Sequence, residues 1–217
     1  MSKQPKQERA ERTRRSIVLG AATVFDRVGY ERASLASICE AAGVTKGAFA
    51  FHFASKAELA HAVQQLACDE SRRKLVALRR PEASALQELV DMTGLLTELL
   101  HTDPVTRAGA RLAREFETLR DPSVDCHLCW LELFWHTYQR AEADGSALPG
   151  TCARTVAALV WMATIGVDAL ARSQPAFTDP DGAAPVKNSP QEWLTRIWRV
   201  VLPQVASAEE RTRVRLP

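Results

Sequence analysis

Thr45, Lys46, Gly47 and Ala48 are the residues of this chain whose types best fit a chemical task, and that task is holding a polyanion. Thr45 can cap a helix through its hydroxyl. Lys46 places a positive charge at the exposed start of that helix, and Gly47 and Ala48 carry almost no side chain. A helix with a small, basic N-terminal end can push its backbone deep into a DNA major groove. Just before it, Ser34-Leu35-Ala36-Ser37-Ile38-Cys39-Glu40-Ala41-Ala42 reads as a shorter helix capped by Ser34, with Leu35 and Ile38 on one face. Gly43 stands where the turn between the two needs a positive φ. Val44, Phe49 and Phe53 supply the apolar groups that hold the second helix on its scaffold. Ser55-Lys56-Ala57-Glu58 is a capping box that opens the next helix. Lys56 falls in its first turn, where the helix dipole disfavours a cation and a phosphate would offset the penalty.

Other reactive side chains give no comparable constellation. Cys126 and Cys129 have the spacing of a metal half-site, but zinc takes four ligands and no second pair lies at useful spacing. The expectation is no metal and no cofactor. His101, His127 and His136 are scattered over helical segments, and no nucleophile elbow, phosphate loop or zinc-protease motif accompanies them. An enzyme is therefore not expected. The five cysteines are odd in number and irregularly spaced, which argues against a disulfide framework.

The elements that must position these residues are helices. A first helix is expected from Gln7 to about Arg27, with Ile17, Ala21, Val24, Phe25 and Val28 at helical spacing and Gly29 ending it. Further helices are expected over about 83–100, from Asp103-Pro104 to about Leu119, over about 123–144 after Asp121-Pro122, over 151–171, and after the Ser189-Pro190-Gln191-Glu192 start. Arg172 to Asn188 reads as a loop and the tail after Ala206 as frayed. About nine helices and no convincing strand make the fold class all-α. Charge is polarised along the chain. Residues 1–56 hold ten Lys/Arg against five Asp/Glu, a local +5, and the whole chain is only +2, so the remainder carries −3. Arg9, Arg12, Arg14 and Arg15 crowd the first helix and suit an arm along a DNA backbone. No secretory pattern is visible, and the apolar run Val156–Val167 is too short to span a bilayer. The expected location is the cytoplasm, with no membrane partner.

The stretch from Gly43 to Phe53, with the capped helix before it, resembles the DNA-binding signature of the tetracycline-repressor-like (TetR) family of bacterial regulators. The resemblance covers roughly residues 8–60. It implies a three-helix helix-turn-helix domain at 1–54 and a helical-bundle ligand-binding and dimerisation domain at 55–217. The partners it implies are a double-stranded DNA operator, a small-molecule effector and a second copy of the chain. The DNA-binding candidates are Ser34, Thr45, Lys46, Gly47, Ala48, Ala50, His52 and Lys56. Ala50 departs from the family, which usually has an aromatic residue there on a DNA phosphate.

Phe51-His52-Phe53, the Trp near the start of the aromatic helix and the overall length resemble the γ-butyrolactone-receptor branch, in which a Trp at that place stacks over the ligand. Trp130 is that residue. Phe134, Trp161 and Met92 are either core or further cavity lining, and Gln64, Gln65, Thr137, Thr164 and Asp168 are polar groups that can face inward. Val160, Val167, Trp193, Ile197 and Trp198 are candidates for the dimer interface or for intramolecular core. Two functions follow from this reading. The first is a dimeric repressor released from a palindromic operator by a small apolar signal. The second is a regulator with a filled core, controlled by a protein partner.

Overall fold

The computed structural model describes residues 4–115, 124–173 and 189–217. Among them lie ten α-helices: α1 (Gln4–Arg32), α2 (Leu35–Ala42), α3 (Lys46–His52), α4 (Lys56–Val76), α5 (Ala85–Thr102), α6 (Pro104–Glu115), α7 (Cys126–Ala143), α8 (Ala153–Ser173), α9 (Pro190–Val205) and α10 (Glu210–Arg213). The only β pairing among the described residues is an isolated bridge between Ala147 and Ala206. The expected helix end at 116–119, the Asp121-Pro122 start and the loop at 174–188 lie outside the described residues. Arg172 and Ser173, expected in that loop, belong to α8 instead.

The chain packs as two units that interleave along the sequence. The first comprises residues 1–70 and 103–129, and the second residues 71–102 and 130–217. In the first unit α1 runs against α2 and α6, burying Ile17, Ala21, Val24 and Phe25. Gly20 lets α1 cross the end of α2, because a Cβ there would come within 2.7 Å of the Ala42 backbone nitrogen. The Ser16 hydroxyl donates to the Ala42 carbonyl at 2.9 Å beside this crossing. Gly29 breaks α1 with φ 80°, and a Cβ there would lie 2.6 Å from the Arg111 guanidinium and 2.7 Å from the Glu115 carboxylate. Its backbone angle therefore calls for glycine, whereas the close atoms are flexible side-chain ends that can move aside. Arg107 of α6 forks onto the Asp26 carboxylate at 2.8–3.0 Å, Arg111 donates to the Asp26 carbonyl, and the Tyr30 N–H donates to Glu115 at 2.8 Å.

The second unit packs α5 against α8 and α9. The Trp198 indole N–H donates to the Thr93 hydroxyl, which donates in turn to the Val90 carbonyl, both at 2.8 Å. A nearly buried Glu88 is matched by a two-pronged bond from Arg140, as a buried carboxylate requires. The tail expected to fray after Ala206 is ordered. The Gln87 side-chain amide donates to the Arg215 carbonyl at 2.9 Å and accepts from the Arg215 N–H at 2.7 Å, so one amide does the work of a strand edge. Glu210 is buried and accepts from the Ser84 hydroxyl. The expectation that the apolar part of the eighth helix is too short to cross a bilayer is also corrected. Ala153–Ala171 is long and apolar enough by length and composition, and only 33% of that window is buried.

Candidate nucleic-acid interface and ligand region

The helix-turn-helix is built by three local signals. The Ser34 hydroxyl accepts from the Ser37 N–H at 3.0 Å and starts α2. Gly43 ends it in the left-handed region at φ 65°, its N–H bonded back into the last turn. The Thr45 hydroxyl accepts from the Ala48 N–H at 3.1 Å and starts α3. Phe49 and Phe53 are buried and pin α3 to its scaffold, with the Arg14 guanidinium over the Phe53 ring at 5.0 Å. Leu35, expected to share the buried face with Ile38, is exposed.

What α3 leaves outward is a small-residue, basic surface. Thr45, Lys46, Gly47 and Ala50 are exposed, and Ala48 and His52 are half-buried. Gly47 has no structural reason to be glycine: a Cβ there meets nothing nearer than the Thr45 hydroxyl at 3.9 Å. Glycine within a helix costs about 1 kcal/mol against alanine. A residue that costs stability and is not needed for packing points to close approach from outside. Arg9, Arg12, Arg14 and Arg15 lie on the exposed side of α1, Arg15 also pairing with Glu70 at 3.7 Å.

Lys56 is not placed as expected. Its ammonium donates to the carbonyls of Tyr30 (2.9 Å), Ala33 (3.2 Å) and Glu31 (3.4 Å), and sits 4.3 Å from the centre of the Tyr30 ring. An ammonium has three N–H donors, and all three are used on the end of α1. The carbonyls at that end offset the dipole penalty that a phosphate was expected to offset. The box at its helix start is present in a shifted form, the Glu58 N–H bonding to Ser55 and the Glu58 carboxylate reaching Ala54.

The residues expected around a ligand divide between the units. Gln64 is buried in the first. Gln65 is corrected: it is exposed and bonds to Asp69 at 3.0 Å, one turn along the same helix face. In the second unit Trp130, Phe134 and Met92 are fully buried, and Thr137, Thr164 and Asp168 are buried while Trp161 is half-buried. The Trp130 N–H donates to the buried Ser71 hydroxyl at 2.9 Å. Thr164 and Thr137 bond back to carbonyls of their own helices at 2.7 and 2.9 Å. A cavity of about 510 Å³ lies elsewhere in this unit, lined by polar residues including Arg80, Ser84, Gln87, Asp144 and Glu210, and Trp130 is not among them.

The dimer-interface candidates need the largest correction. Val160, Val167 and Trp198 are buried within their own unit, Trp198 by its bond to Thr93, so they are core. Trp193 and Ile197 are half-buried. On α8 and α9 the large apolar side chains left exposed are Leu159, Met162 (55%) and Val200 (73%). On α8, Leu159, Met162, Gly166 and Ala169 recur at helical spacing, and a Cβ on Gly166 would meet open space. On α9, Trp193, Ile197, Val200 and Gln204 do the same.

Among the described residues no cluster of His, Cys, Asp or Glu could hold a metal. Cys126 is buried, and burial holds its thiol well above the usual value. The His127 ring nitrogen Nε2 lies 3.0 Å from the Ala110 carbonyl, and burial lowers its pKa.

The profile for "Bacterial regulatory proteins, tetR family" matches residues 17–63, which span α2 and α3. A crystal structure of a gamma-butyrolactone receptor (ArpA-like protein) superposes with TM-score 0.77 at 30% identity, covering 95% of this chain and 94% of that one. The chain belongs to the TetR family. It is accordingly a DNA-binding transcriptional regulator and not an enzyme. The A-factor receptor protein of Streptomyces griseus is 31% identical over 201 residues, which are 93% of this chain and 66% of that protein. The chain thus spans slightly less than two thirds of that relative's length. CprB from Streptomyces coelicolor, solved in complex with its operator sequence, superposes with TM-score 0.71 at 29% identity over 95% of this chain and 94% of its own.

Proposed function

We propose that this TetR-family regulator is a cytoplasmic homodimer that binds a palindromic operator and leaves it when a small apolar signalling molecule of the γ-butyrolactone or furan type binds. The observation that carries the reading is the likeness to a gamma-butyrolactone receptor along almost the whole chain, far beyond the DNA-binding segment. Residues 1–54 are the DNA-binding part, with Ser34, Thr45, Lys46, Gly47, Ala48, Ala50 and His52 toward the duplex. Residues 55–217 bind the ligand and the second copy. Two seams, Leu159–Met162–Gly166–Ala169 on α8 and Trp193–Ile197–Val200–Gln204 on α9, suit a two-fold helical interface, since the exposed apolar side chains Leu159, Met162 and Val200 on them call for a partner surface. Two-fold proteins read two-fold sites.

Trp130 is the proposed ligand contact, offering a flat face to a lactone ring, with Phe134, Met92, Trp161, Thr137, Thr164 and Asp168 of the same unit as its companions. The test is release of a bound operator duplex by a synthetic alkyl-γ-butyrolactone. Wild-type protein is expected to release DNA, and Trp130→Phe, which keeps a ring but loses the N–H bond to Ser71, is expected to need a higher concentration. Release at the wild-type concentration removes Trp130 from the mechanism. A second reading is favoured by the complete burial of Trp130, Phe134 and Met92: a filled core and control by a protein partner. Lactones and furans that leave both the operator complex and the melting temperature unchanged select it.

A further inference from the structure

We infer that Phe51 reads sequence by packing its ring on the C5-methyl group of a thymine in the major groove. Phe49, Phe51 and Phe53 stand at alternate positions at the end of α3. The first and last are buried as anchors, whereas Phe51 is 80% exposed. The ring contact at Phe51 is an edge-on approach of the adjacent His52 at 5.1 Å, which leaves most of its surface open. Burying a Phe side chain is favourable, so leaving one in water forgoes that gain in the free protein.

The surroundings select the occupant. Phe51 is one helical turn after Gly47, and side chains on a helix lean toward its N-terminus. The ring thus lies toward the bare backbone at Gly47, with Lys46 and Ala50, both exposed, on the adjoining surface. This is a basic helix end in a segment of local charge +5, so the partner is a polyanion. In the major groove of a duplex the thymine methyl is the apolar group available to a phenyl ring. The small side chain of Ala50 leaves room for the ring to reach a base edge rather than be screened by a bulkier neighbour.

This inference rests on the reading that α3 enters the major groove, and the test separates the two. Full-length protein is used to select duplexes from a random library. Each thymine of the best duplex is then replaced, one at a time and symmetrically in both half-sites, by deoxyuridine, which lacks only the methyl group. A buried methyl is worth about 0.8 kcal/mol, or about four-fold in affinity per half-site. Wild-type protein is expected to lose that factor at one thymine position, and Phe51→Ala to bind more weakly but to be indifferent to the methyl at that position alone. Indifference of the wild type to every methyl, or an undiminished penalty in Phe51→Ala, overturns the inference while leaving DNA binding intact. Failure to select any duplex overturns the major-groove reading and the inference with it. The deoxyuridine series on wild-type protein needs no variant, so a folding defect cannot mask the result.

Discussion

Replacing Lys56 by Met keeps the length of the side chain and removes the ammonium. Phosphate contact and structural cap then predict opposite results. The three carbonyls at the end of α1 lose their charged donor, at 2.9, 3.2 and 3.4 Å, together with the cation over the Tyr30 ring. A hydrogen bond to a charged group contributes about 1.5–3 kcal/mol. The second and third bonds are longer, and the half-buried site lets water replace part of what is lost. A net cost of about 2–3 kcal/mol follows. For a chain of this size each kcal/mol moves the melting point by about 2–4 °C, so Lys56→Met is expected to melt about 5–10 °C lower. Operator binding measured across a salt series gives the second readout. A lysine that neutralises a phosphate contributes about one to the slope of log affinity against log salt for each half-site. Lys56→Met is expected to keep the wild-type slope, whereas Lys46→Ala, whose ammonium is exposed, is expected to lower it by that amount. An unchanged melting point with a slope reduced by one per half-site would refute the structural role and restore the phosphate contact.

Gly47→Ala is expected to raise stability by up to about 1 kcal/mol, because alanine is the better helix former and its Cβ has open space. It is also expected to weaken operator binding, and tighter or unchanged binding would mean that the α3 backbone does not approach DNA closely. Met162→Lys combined with Val200→Lys is expected to convert a dimer to a monomer by light scattering at micromolar concentration without lowering helical content, because both side chains are largely exposed in one copy. Asp144 supplies a pH dependence. Burial alone would raise its pKa, but the Ser146 hydroxyl and the N–H groups of Ala85 and Ser146 outweigh that and hold it below the usual value. Because the folded state binds this proton more weakly than the unfolded chain, the stabilisation is present above about pH 4 and is lost as pH falls through the lowered folded value. Melting curves of wild type and Asp144→Asn are expected to converge below that range, and a constant difference down to pH 2 would contradict it.

What the sequence by itself determined is what short-range chemistry encodes. Ser34, Gly43, Thr45 and Ser189 act on groups within a turn of themselves, and each caps or turns the chain where its type and spacing predict. The sequential run of caps and apolar periods was enough for most of the helices, though not for α10 in the tail expected to fray, and the small, basic start of α3 for the kind of partner. The tertiary structure decided which side of each element is used. Val160, Val167 and Trp198 are as apolar as Leu159, Met162 and Val200, and only the packing of α5, α8 and α9 on one another makes the first three core and leaves the second three exposed. Lys56 reads as an anion contact until the end of α1, more than twenty residues earlier, supplies its three carbonyls. Phe51 is chemically identical to Phe49 and Phe53, and only the fold sets it apart by leaving its ring in water. Local bonds are fixed by residues that are neighbours in the chain, whereas burial and charge pairing depend on segments brought together across tens of residues, which no local pattern records.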